Sequence, residues 1–284
     1  MNLNLIKKLC SLDDKKLRNL LIKYLYNMNY NPKVSGKAIY AEGELPICLI
    51  AHMDTVFFHC PEEDDFYYDS RRKVLWSPNG SGFDDRAGIY AIIQILEAGY
   101  RPSIIFLDEE EKGGIGAREL ITIEPFCPFR DCRALIELDR ANKNDSVYYN
   151  CDNPDFEKYI NKYGFITDTG TFSDISIIAP AWEIAAVNLS IGYEDEHSRS
   201  ERLHCNWCDQ TIKKVINIVK DSPNMMSYQY IPFNYAKMYP WIEEDKCLYC
   251  DLPLKNNDYV IINDGGLKYK LCLSCYKTYQ QFSF

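Results

Sequence analysis

Two side chains that can bind or orient a metal ion follow a short apolar run near residue 50. His52 and Asp54 come directly after residues 46–50, whose composition predicts a buried strand. Side chains two positions apart in a strand point to the same side, so we expect both groups to face one site. An imidazole nitrogen can bind a metal, and a neighbouring carboxylate can fix the tautomer of the ring. Taken alone, the pair also fits a hydrogen-bonded core histidine.

Further acidic residues and a second histidine recur later in the chain at expected ends of strands or starts of helices. They are Asp84-Asp85 before a predicted helix over residues 85–97, Glu109-Glu110-Glu111 after a predicted strand over 103–107, Asp139 after a predicted strand over 134–138, and His197 after a predicted strand over 185–190. The carboxyl ends of parallel strands form the ligand-binding edge of an open sheet. Taken singly, the acidic triplet also fits a solvated loop, and the aspartate pair fits a helix cap.

The order of these motifs resembles that of the co-catalytic dizinc exopeptidases. This group includes tripeptidases, glutamate-carboxypeptidase-like enzymes, and leucyl and tetrahedral aminopeptidases. Its pattern is H-x-D, D-D-[KR]-x-G, E-E-x-G-x-x-G-A, a carboxylate at a strand end and a late histidine. All five parts occur here in that order, between about residues 45 and 205.

The resemblance implies a set of ligands for two zinc ions, or for cobalt or manganese ions in their place. Asp84 would bridge the two ions, and the peptide bond after it would be cis. His52 and Asp139 would complete the site of one ion. Glu111 and His197 would complete the site of the other.

The resemblance also assigns the general base, once the register of the glutamate triplet is fixed. The segment from Glu110 to Ala117 fits the glycine positions of the family motif, whereas starting one residue earlier would place Lys112 where a glycine belongs. Glu110 would therefore take a proton from a metal-bridging water and return it to the leaving nitrogen. Asp54 would orient this end of the site.

Departures from the family pattern favour an aminopeptidase that acts on short peptides. The segments 52–84 and 139–197 are too short for the lid or domain that relatives insert there, and such a lid commonly supplies the group that holds a substrate carboxylate. Asp174 ends a segment similar to a G-T-D substrate loop, and Glu201 ends an H-S-x-x-E motif. We expect these two carboxylates to be candidates for binding a free α-amine. Arg140 and Arg199 are the alternatives that could bind a carboxylate instead.

Other functions remain open on the sequence alone. One is an N-acyl-amino-acid amidase or carboxypeptidase, or a glutaminyl-cyclase-like enzyme with a single zinc ion. Another is a catalytically inactive protein that uses the same fold to present its C-terminal module to a partner.

The C-terminal region contains two C-x-x-C motifs separated by 21 residues. Thiolates at this spacing are typical of two tight turns around one tetrahedral zinc ion. Strand-like residues 259–263 and 268–271 flank Gly265-Gly266, as expected of a zinc ribbon. The alternative is a redox pair. The four predicted ligands are Cys247, Cys250, Cys272 and Cys275. Such a module could bind a protein partner. A third motif, Cys205 to Cys208, begins a predicted helix and is interpreted as packing.

Alternating strands and helices predict an α/β fold in which helices sandwich a mixed, largely parallel central sheet. Residues 11–30 predict the first helix, with Ser11 at its N-cap, and residues 203–220 predict the last. We expect three parts: a catalytic domain over residues 1–220, a connector over 221–245, and a zinc-ribbon-like module over 246–284.

The composition is that of an ordinary globular protein. The 284 residues are 46% hydrophobic and 26% charged, and the net charge of −9 argues against a general nucleic-acid binder. No segment resembles a signal peptide or a membrane span, and the 12 cysteines resemble reduced thiols and metal ligands more than a disulfide framework. We therefore expect a cytoplasmic protein with a peptide or acyl-amino-acid substrate.

Overall fold

The computed structural model describes residues 1–233, 246–250, 252–254, 259–264 and 267–282. The chain forms two compact units, Met1–Pro232 and Phe233–Phe284. The first unit includes residues 221–232, where Met225 and Tyr228 are buried in its core, and the remainder of the expected connector, 234–245, lies outside the described residues. No helix within the described ranges has the length and apolar character needed to cross a membrane.

The first unit contains two sheets and seven α-helices among its described residues. The strands are β1 (Lys33–Ser35), β2 (Ala38–Ala41), β3 (Leu45–His52), β4 (Tyr67–Asp69), β5 (Val74–Trp76), β6 (Pro102–Leu107), β7 (Leu135–Arg140), β8 (Asp145–Val147), β9 (Ile166–Asp168), β10 (Ala186–Ser190), β11 (Tyr193–Glu194) and β12 (Arg202–His204). The helices are α1 (Leu3–Cys10), α2 (Asp14–Asn27), α3 (Phe83–Glu97), α4 (Ile115–Ile123), α5 (Pro154–Asn161), α6 (Ile175–Trp182) and α7 (Cys205–Asp221).

The larger sheet has the strand order β1-β2-β6-β3-β7-β10-β8-β9. Its four central strands, β6, β3, β7 and β10, pair in parallel, so their carboxyl ends lie at one edge. Antiparallel pairs join β2 to β6 and β10 to β8. The predicted fold class, an α/β fold with a mixed sheet, is confirmed.

Alternate residues of β3 enter two different cores, which explains why the strand is apolar throughout. Ile47 and Leu49 pack with α1, α2, α3 and α7 on one face, whereas Cys48 and Ile50 pack with α4 and α6 on the other. A strand covered by helices on both faces needs apolar side chains at every position. The same arrangement leaves the carboxyl end of β3 as the place where His52 emerges.

The first predicted helix, over residues 11–30, corresponds to the shorter α2, and the helix α1 before it lies outside the predicted range. Ser11 is the C-cap of α1, because its N–H donates to the carbonyls of Lys7 and Lys8, and it is not the N-cap of a long helix. Asp13 instead caps α2, where its carboxylate accepts the N–H of Lys16 at 2.8 Å. The helix α6 and the short strands β11 and β12, which complete a second sheet with the order β11-β12-β5-β4, are elements that the periodicity does not indicate.

The second unit contains an antiparallel hairpin of β13 (Tyr259–Asp264) and β14 (Leu267–Cys272), followed by the helix α8 (Leu273–Phe282). Both strands agree with the predicted ranges to within one residue or so at each end. The intervening Gly265-Gly266 turn lies outside the described residues.

Candidate metal centre and active site

The carboxylate of Asp84 lies between two histidines at the carboxyl edge of the large sheet. Its Oδ1 is 3.0 Å from Nε2 of His52, and its Oδ2 is 3.2 Å from Nε2 of His197. Each histidine also faces a second carboxylate: Nε2 of His52 is 3.3 Å from Oδ1 of Asp139, and Nε2 of His197 is 3.0 Å from Oε2 of Glu111. The five side chains thus form a His52–Asp139 side and a Glu111–His197 side that share Asp84.

Backbone elements fix this arrangement. His52 ends β3 opposite Leu107 of β6, and Asp139 lies near the end of β7, the other parallel neighbour of β3. Asp84 lies in the first turn of α3, and the peptide bond between Asp84 and Asp85 is cis, as the resemblance implied. A side chain at Gly88 would collide with the carbonyl oxygen of Leu138, so glycine is what lets α3 approach β7 this closely.

Asp85 also lies near the histidine, in a group with His52 and Asp139 that could hold a metal ion. Its carboxylate is already used, because Oδ2 accepts the backbone N–H of His52 at 3.2 Å and Oδ1 accepts the N–H of Gly88 at 2.9 Å. Asp85 therefore holds β3 against the start of α3, while Asp84 is the member of the pair that faces both histidines.

Asp54 connects His52 to the glutamate segment. Nδ1 of His52 lies 3.1 Å from the carbonyl oxygen of Asp54 and 3.3 Å from its Oδ1, which leaves Nε2 free to face Asp84. The Asp54 carboxylate also accepts the backbone N–H groups of Glu110 at 3.0 Å and Glu111 at 3.2 Å.

The three consecutive glutamates have different surroundings. Glu109 pairs with Lys37 at 2.9 Å and Lys112 at 3.1 Å, so its charge is neutralised outside the site. Glu111 faces His197, and its Oε1 is buried without a hydrogen-bond partner among the described residues. Glu110 lies close enough to Asp139 and His52 for their charges to shift its pKa. Of the three glutamates, Glu111 is thus the one that contacts a histidine of the centre.

Crowded carboxylates raise one another's proton affinity in the absence of a cation. Burial and then Asp139 raise the pKa of Glu110 to about 9, and burial and then Asp84 raise that of Glu111 to about 7. Burial raises the pKa of Asp139 to about 6. Burial alone would also raise the pKa of Asp84, but hydrogen bonds from His197 and His52 outweigh it and lower that pKa. Buried acids with opposed shifts are typical of functional sites.

The donor set fits divalent metal ions. Two imidazole nitrogens and three facing carboxylates surround one small region, and one of these carboxylates, Glu111, has a buried oxygen with no hydrogen-bond partner in the described part of the chain. Nitrogen and carboxylate oxygen are the ligands that zinc and similar ions accept in catalytic sites. A cation there would compensate the negative charges that burial otherwise leaves unpaired.

Asp174, a candidate for binding an α-amine, has a fully buried carboxylate. It precedes α6, and neither of its oxygens has a hydrogen-bond partner within the described part of the chain. Burial, and to a lesser degree the Asp139 charge, raises its pKa to about 8, against a lowering influence of His52. A side chain placed at Gly114 would lie 3.2 Å from Asp174 Oδ1, so this carboxylate sits over the glycine turn that follows Glu111.

The carboxylate of Glu201 contacts the backbone on both sides of Phe83. Its Oε2 accepts the N–H of Gly82 at 2.6 Å, and its Oε1 accepts the N–H of Asp84 at 2.9 Å. The carboxylate therefore holds the backbone loop that carries Asp84. With both oxygens used in this way, these contacts give no support to Glu201 as a receptor for a substrate amine.

The arginines proposed as alternatives differ in their contacts. Nη2 of Arg140 donates to Asp168 at 3.1 Å and to the carbonyl of Thr169 at 3.3 Å, which fastens the segment before Asp174. Arg199 is an exposed residue of the loop that carries His197. Two acidic residues that precede this loop, Glu194 and Asp195, both pair with Arg202.

Residues behind Asp139 complete the site, although no sequence motif marks them. Asn188 of β10 and Tyr193 of β11 both contact Asp139, and Glu137 lies fully buried two positions before it. The one signal in the sequence is a charged residue, Glu137, within the otherwise apolar predicted strand 134–138. Asparagine and tyrosine in buried strands give no distinct pattern.

Solved structures share this fold. A tripeptidase from Staphylococcus aureus superposes with a TM-score of 0.63 at 15% identity, over 78% of this chain and 97% of that one. The aminopeptidase PepT from Bacillus cereus gives a TM-score of 0.62 at 14% identity, over 78% and 97%. The TET1 peptidase of Pyrococcus horikoshii gives 0.55 at 15% identity, over 75% and 97%.

The chain has the fold of these peptidases. The fold that the motifs implied is therefore confirmed at the level of three-dimensional structure. No protein-family model matches the sequence, and no curated protein matches it either.

The four C-terminal cysteines form a second candidate metal group. Their sulfur atoms all lie within 4.8 Å of one another, with Sγ of Cys250 and Cys272 3.8 Å apart. The backbone N–H of Cys272 donates to Sγ of Cys247 at 3.3 Å. Although burial opposes it, N–H groups of Cys272 and Cys250 lower the pKa of Cys247 to about 6. Such a thiolate is a ligand for zinc. Cys205 and Cys208 are instead buried in the core of the first unit.

Proposed function

We propose that this chain is a metal-dependent peptidase that removes N-terminal residues from short peptides. The observation that carries the proposal is the position of Asp84, whose two oxygens face separate histidine–carboxylate pairs. Shared carboxylates of this kind hold two ions about 3.5–4 Å apart in hydrolases. The likeness in fold to aminopeptidases and a tripeptidase agrees with this chemistry.

The chain's own residues supply a general base and its support. Two divalent ions bound at this centre would polarise the scissile carbonyl and acidify the attacking water. Glu110 takes a proton from that water as the new C–O bond forms, and it returns the proton to the nitrogen when the C–N bond breaks. Asp54 keeps Glu110 in place through the backbone N–H at 3.0 Å.

Asp174 supports cleavage from the N-terminus. Its buried carboxylate has no hydrogen-bond partner among the residues that the structure describes, and a cationic α-amine would compensate the cost of burying it. A carboxypeptidase would instead need a cation for the terminal carboxylate, and Arg140 is already bound to Asp168. We therefore propose that Asp174 binds the α-amine of the substrate.

Several finer assignments belong to the same proposal. We infer zinc as the metal, with two ions at the Asp84 centre and one held by the four cysteines. We also propose a catalytic unit followed by a zinc-ribbon module that contacts a protein partner. Thiolate ligands persist in a reducing compartment, which favours the cytoplasm.

One peptide in three forms tests the direction of attack: free, N-acetylated and C-amidated. We expect hydrolysis of the free and amidated forms and none of the acetylated form. Asp174→Asn should raise KM for the free peptide about 10–100-fold, because a charged hydrogen bond is lost. Glu109 is an acid outside the site, so the matched variant Glu109→Gln should leave KM unchanged. Hydrolysis of the acetylated form together with loss of activity on the amidated form would overturn the proposal.

A further inference from the structure

Asn188 is a buried asparagine in β10 with hydrogen bonds both to Asp139 and to Ser173, the residue before Asp174. Its side chain is nearly inaccessible, with 2% of its surface exposed. Its Oδ1 accepts the backbone N–H of Asp139 at 2.9 Å. Its Nδ2 lies 3.4 Å from Oδ2 of Asp139, 3.2 Å from Oγ of Ser173 and 3.1 Å from the hydroxyl of Tyr149. One amide group thus contacts a candidate metal ligand and the residue before Asp174.

The contacts of Asp139 show why its carboxylate points as it does. Tyr193 donates its hydroxyl to the Asp139 carbonyl at 2.6 Å, and this hydroxyl lies 3.3 Å from Oδ1. Oδ1 also faces Nε2 of His52 at 3.3 Å, whereas Oδ2 faces the amide of Asn188. With Oδ2 held by Asn188, Oδ1 remains available on the side where a metal ion would bind.

Ser173 links Asn188 to Asp174, the proposed substrate contact. Its hydroxyl donates to the carboxyl group of Glu137, which is fully buried in β7 two residues before Asp139. Ser173 immediately precedes Asp174, whose carboxylate has no hydrogen-bond partner of its own in the described ranges. The position of Asp174 therefore depends on Ser173 and on the strand that carries Asp139.

We propose that Asn188 is a positioning residue that orients Asp139 toward the His52–Asp139 metal site and fastens it, through Ser173, to the loop that carries Asp174. This inference rests on the proposed metallopeptidase function. A hydrogen-bond partner behind a metal ligand commonly contributes about 10–100-fold to metal affinity. Here the same partner also links metal binding to placement of the substrate amine.

Cobalt(II) titration of the full-length protein tests, without an activity assay, whether Asn188 orients Asp139 for metal binding. Thiolate-bound cobalt has a sulfur charge-transfer band, so the cysteine site is distinguished from the two sites at Asp84. In Asn188→Leu we expect one of the two Asp84-centre ions to bind about 10–100-fold more weakly, with the other ion and the cysteine site unchanged. Asn188→Asp has nearly the same shape and keeps the acceptor for the Asp139 N–H, but it loses the donor to Oδ2. We expect the same selective loss in that variant.

Ser190→Ala is the matched control. Ser190 lies on the same strand and is equally buried, but its hydroxyl donates to the carbonyl of Ala141 and accepts the N–H of Asp145. It should lower stability without changing either cobalt affinity. Ser173→Ala should raise KM for a free-amine peptide while both cobalt affinities stay as in the wild type.

Unchanged binding of both ions in Asn188→Asp would overturn the role of Asn188. The proposed function would then still stand, provided that the wild type binds two ions at the Asp84 centre and cleaves the free peptide. Absence of cobalt binding at that centre in the wild type would overturn the proposed function itself, and this inference with it.

Discussion

The carboxylate of Asp54 accepts the backbone N–H of Glu110 at 3.0 Å. This bond joins the end of β3 to the loop after β6, so the metal-facing histidine and the candidate base are held by one residue. The other oxygen of Asp54 accepts the N–H of Glu111 at 3.2 Å. The backbone positions of both glutamates therefore depend on Asp54.

Glu110→Gln tests the assignment of the base. The amide keeps the shape but cannot accept the proton, so the rate should fall roughly 10²–10⁴-fold while metal content is retained. Steady-state kinetics and metal analysis on the same sample measure both. Glu109→Gln is the control, since Glu109 pairs with Lys37 and Lys112 and should be replaceable.

Glu111→Gln should behave in the opposite way, with weakened metal binding because a ligand oxygen is replaced by an amide. The register through the triplet would be wrong if Glu111→Gln kept both ions while Glu110→Gln lost one.

Metal binding at the Asp84 centre should release protons. Burial raises the pKa of Glu111 to about 7, and hydrogen bonding to Asp84 raises that of His197 to about 9, so both groups carry protons at pH 6 in the metal-free protein. Ligands bind metal only when deprotonated, so affinity should increase as the pH rises from 6 to 9. Calorimetry at pH 6 in two buffers of different ionisation enthalpy measures the released protons. Equal heats in the two buffers would contradict the prediction.

Glu201→Gln should destabilise the loop that carries Asp84. The new amide group would place a donor against the backbone N–H of Gly82 or Asp84, and an unsatisfied buried donor costs about 1–3 kcal/mol. Thermal unfolding of the metal-free protein should show the loss, and Glu196→Gln, at an exposed position, provides the control. An unchanged Tm with a raised KM would instead return Glu201 to the role of a substrate contact.

Local periodicity is enough to predict the central part of the fold. The parallel strands β3, β6, β7 and β10 are predictable because short apolar runs with polar residues at their ends are typical of strands buried on both faces. The start of α2 is not predictable in this way, because serine and aspartate are both common N-cap residues and Ser11 and Asp13 both precede its apolar stripe. The capping role of Asp13 becomes visible only once the contacts of Ser11 with Lys7 are known.

In the candidate site, too, some residues can be predicted from the sequence and others cannot. The residues that face Asp84 can be named from motif order, because their chemistry requires histidine and carboxylate at fixed positions. Asn188 and Tyr193 cannot be named in this way, because many residue types can form the hydrogen bonds that support a metal ligand. The contact expected of Glu201 differs from the observed one because a sequence does not show that two backbone N–H groups occupy its carboxylate.

The cysteine site should be separable from activity on short peptides. Cys250→Ser removes one of four thiolates, so the chain should lose one zinc ion and retain two. Mass spectrometry of the native protein and a peptide assay measure the two effects. Loss of all metal, or of activity at retained metal content, would show that the cysteine group is not an independent structural site.

Anomalous scattering from a zinc-loaded crystal tests the central claim, that Asp84 bridges two catalytic ions, most directly. We expect two peaks about 3.5–4 Å apart on either side of the Asp84 carboxylate, one beside His52 and Asp139 and the other beside Glu111 and His197. A third peak should lie among the four cysteines. A single peak near Asp84 in a fully loaded crystal would contradict the two-metal account and favour the single-zinc, cyclase-like alternative.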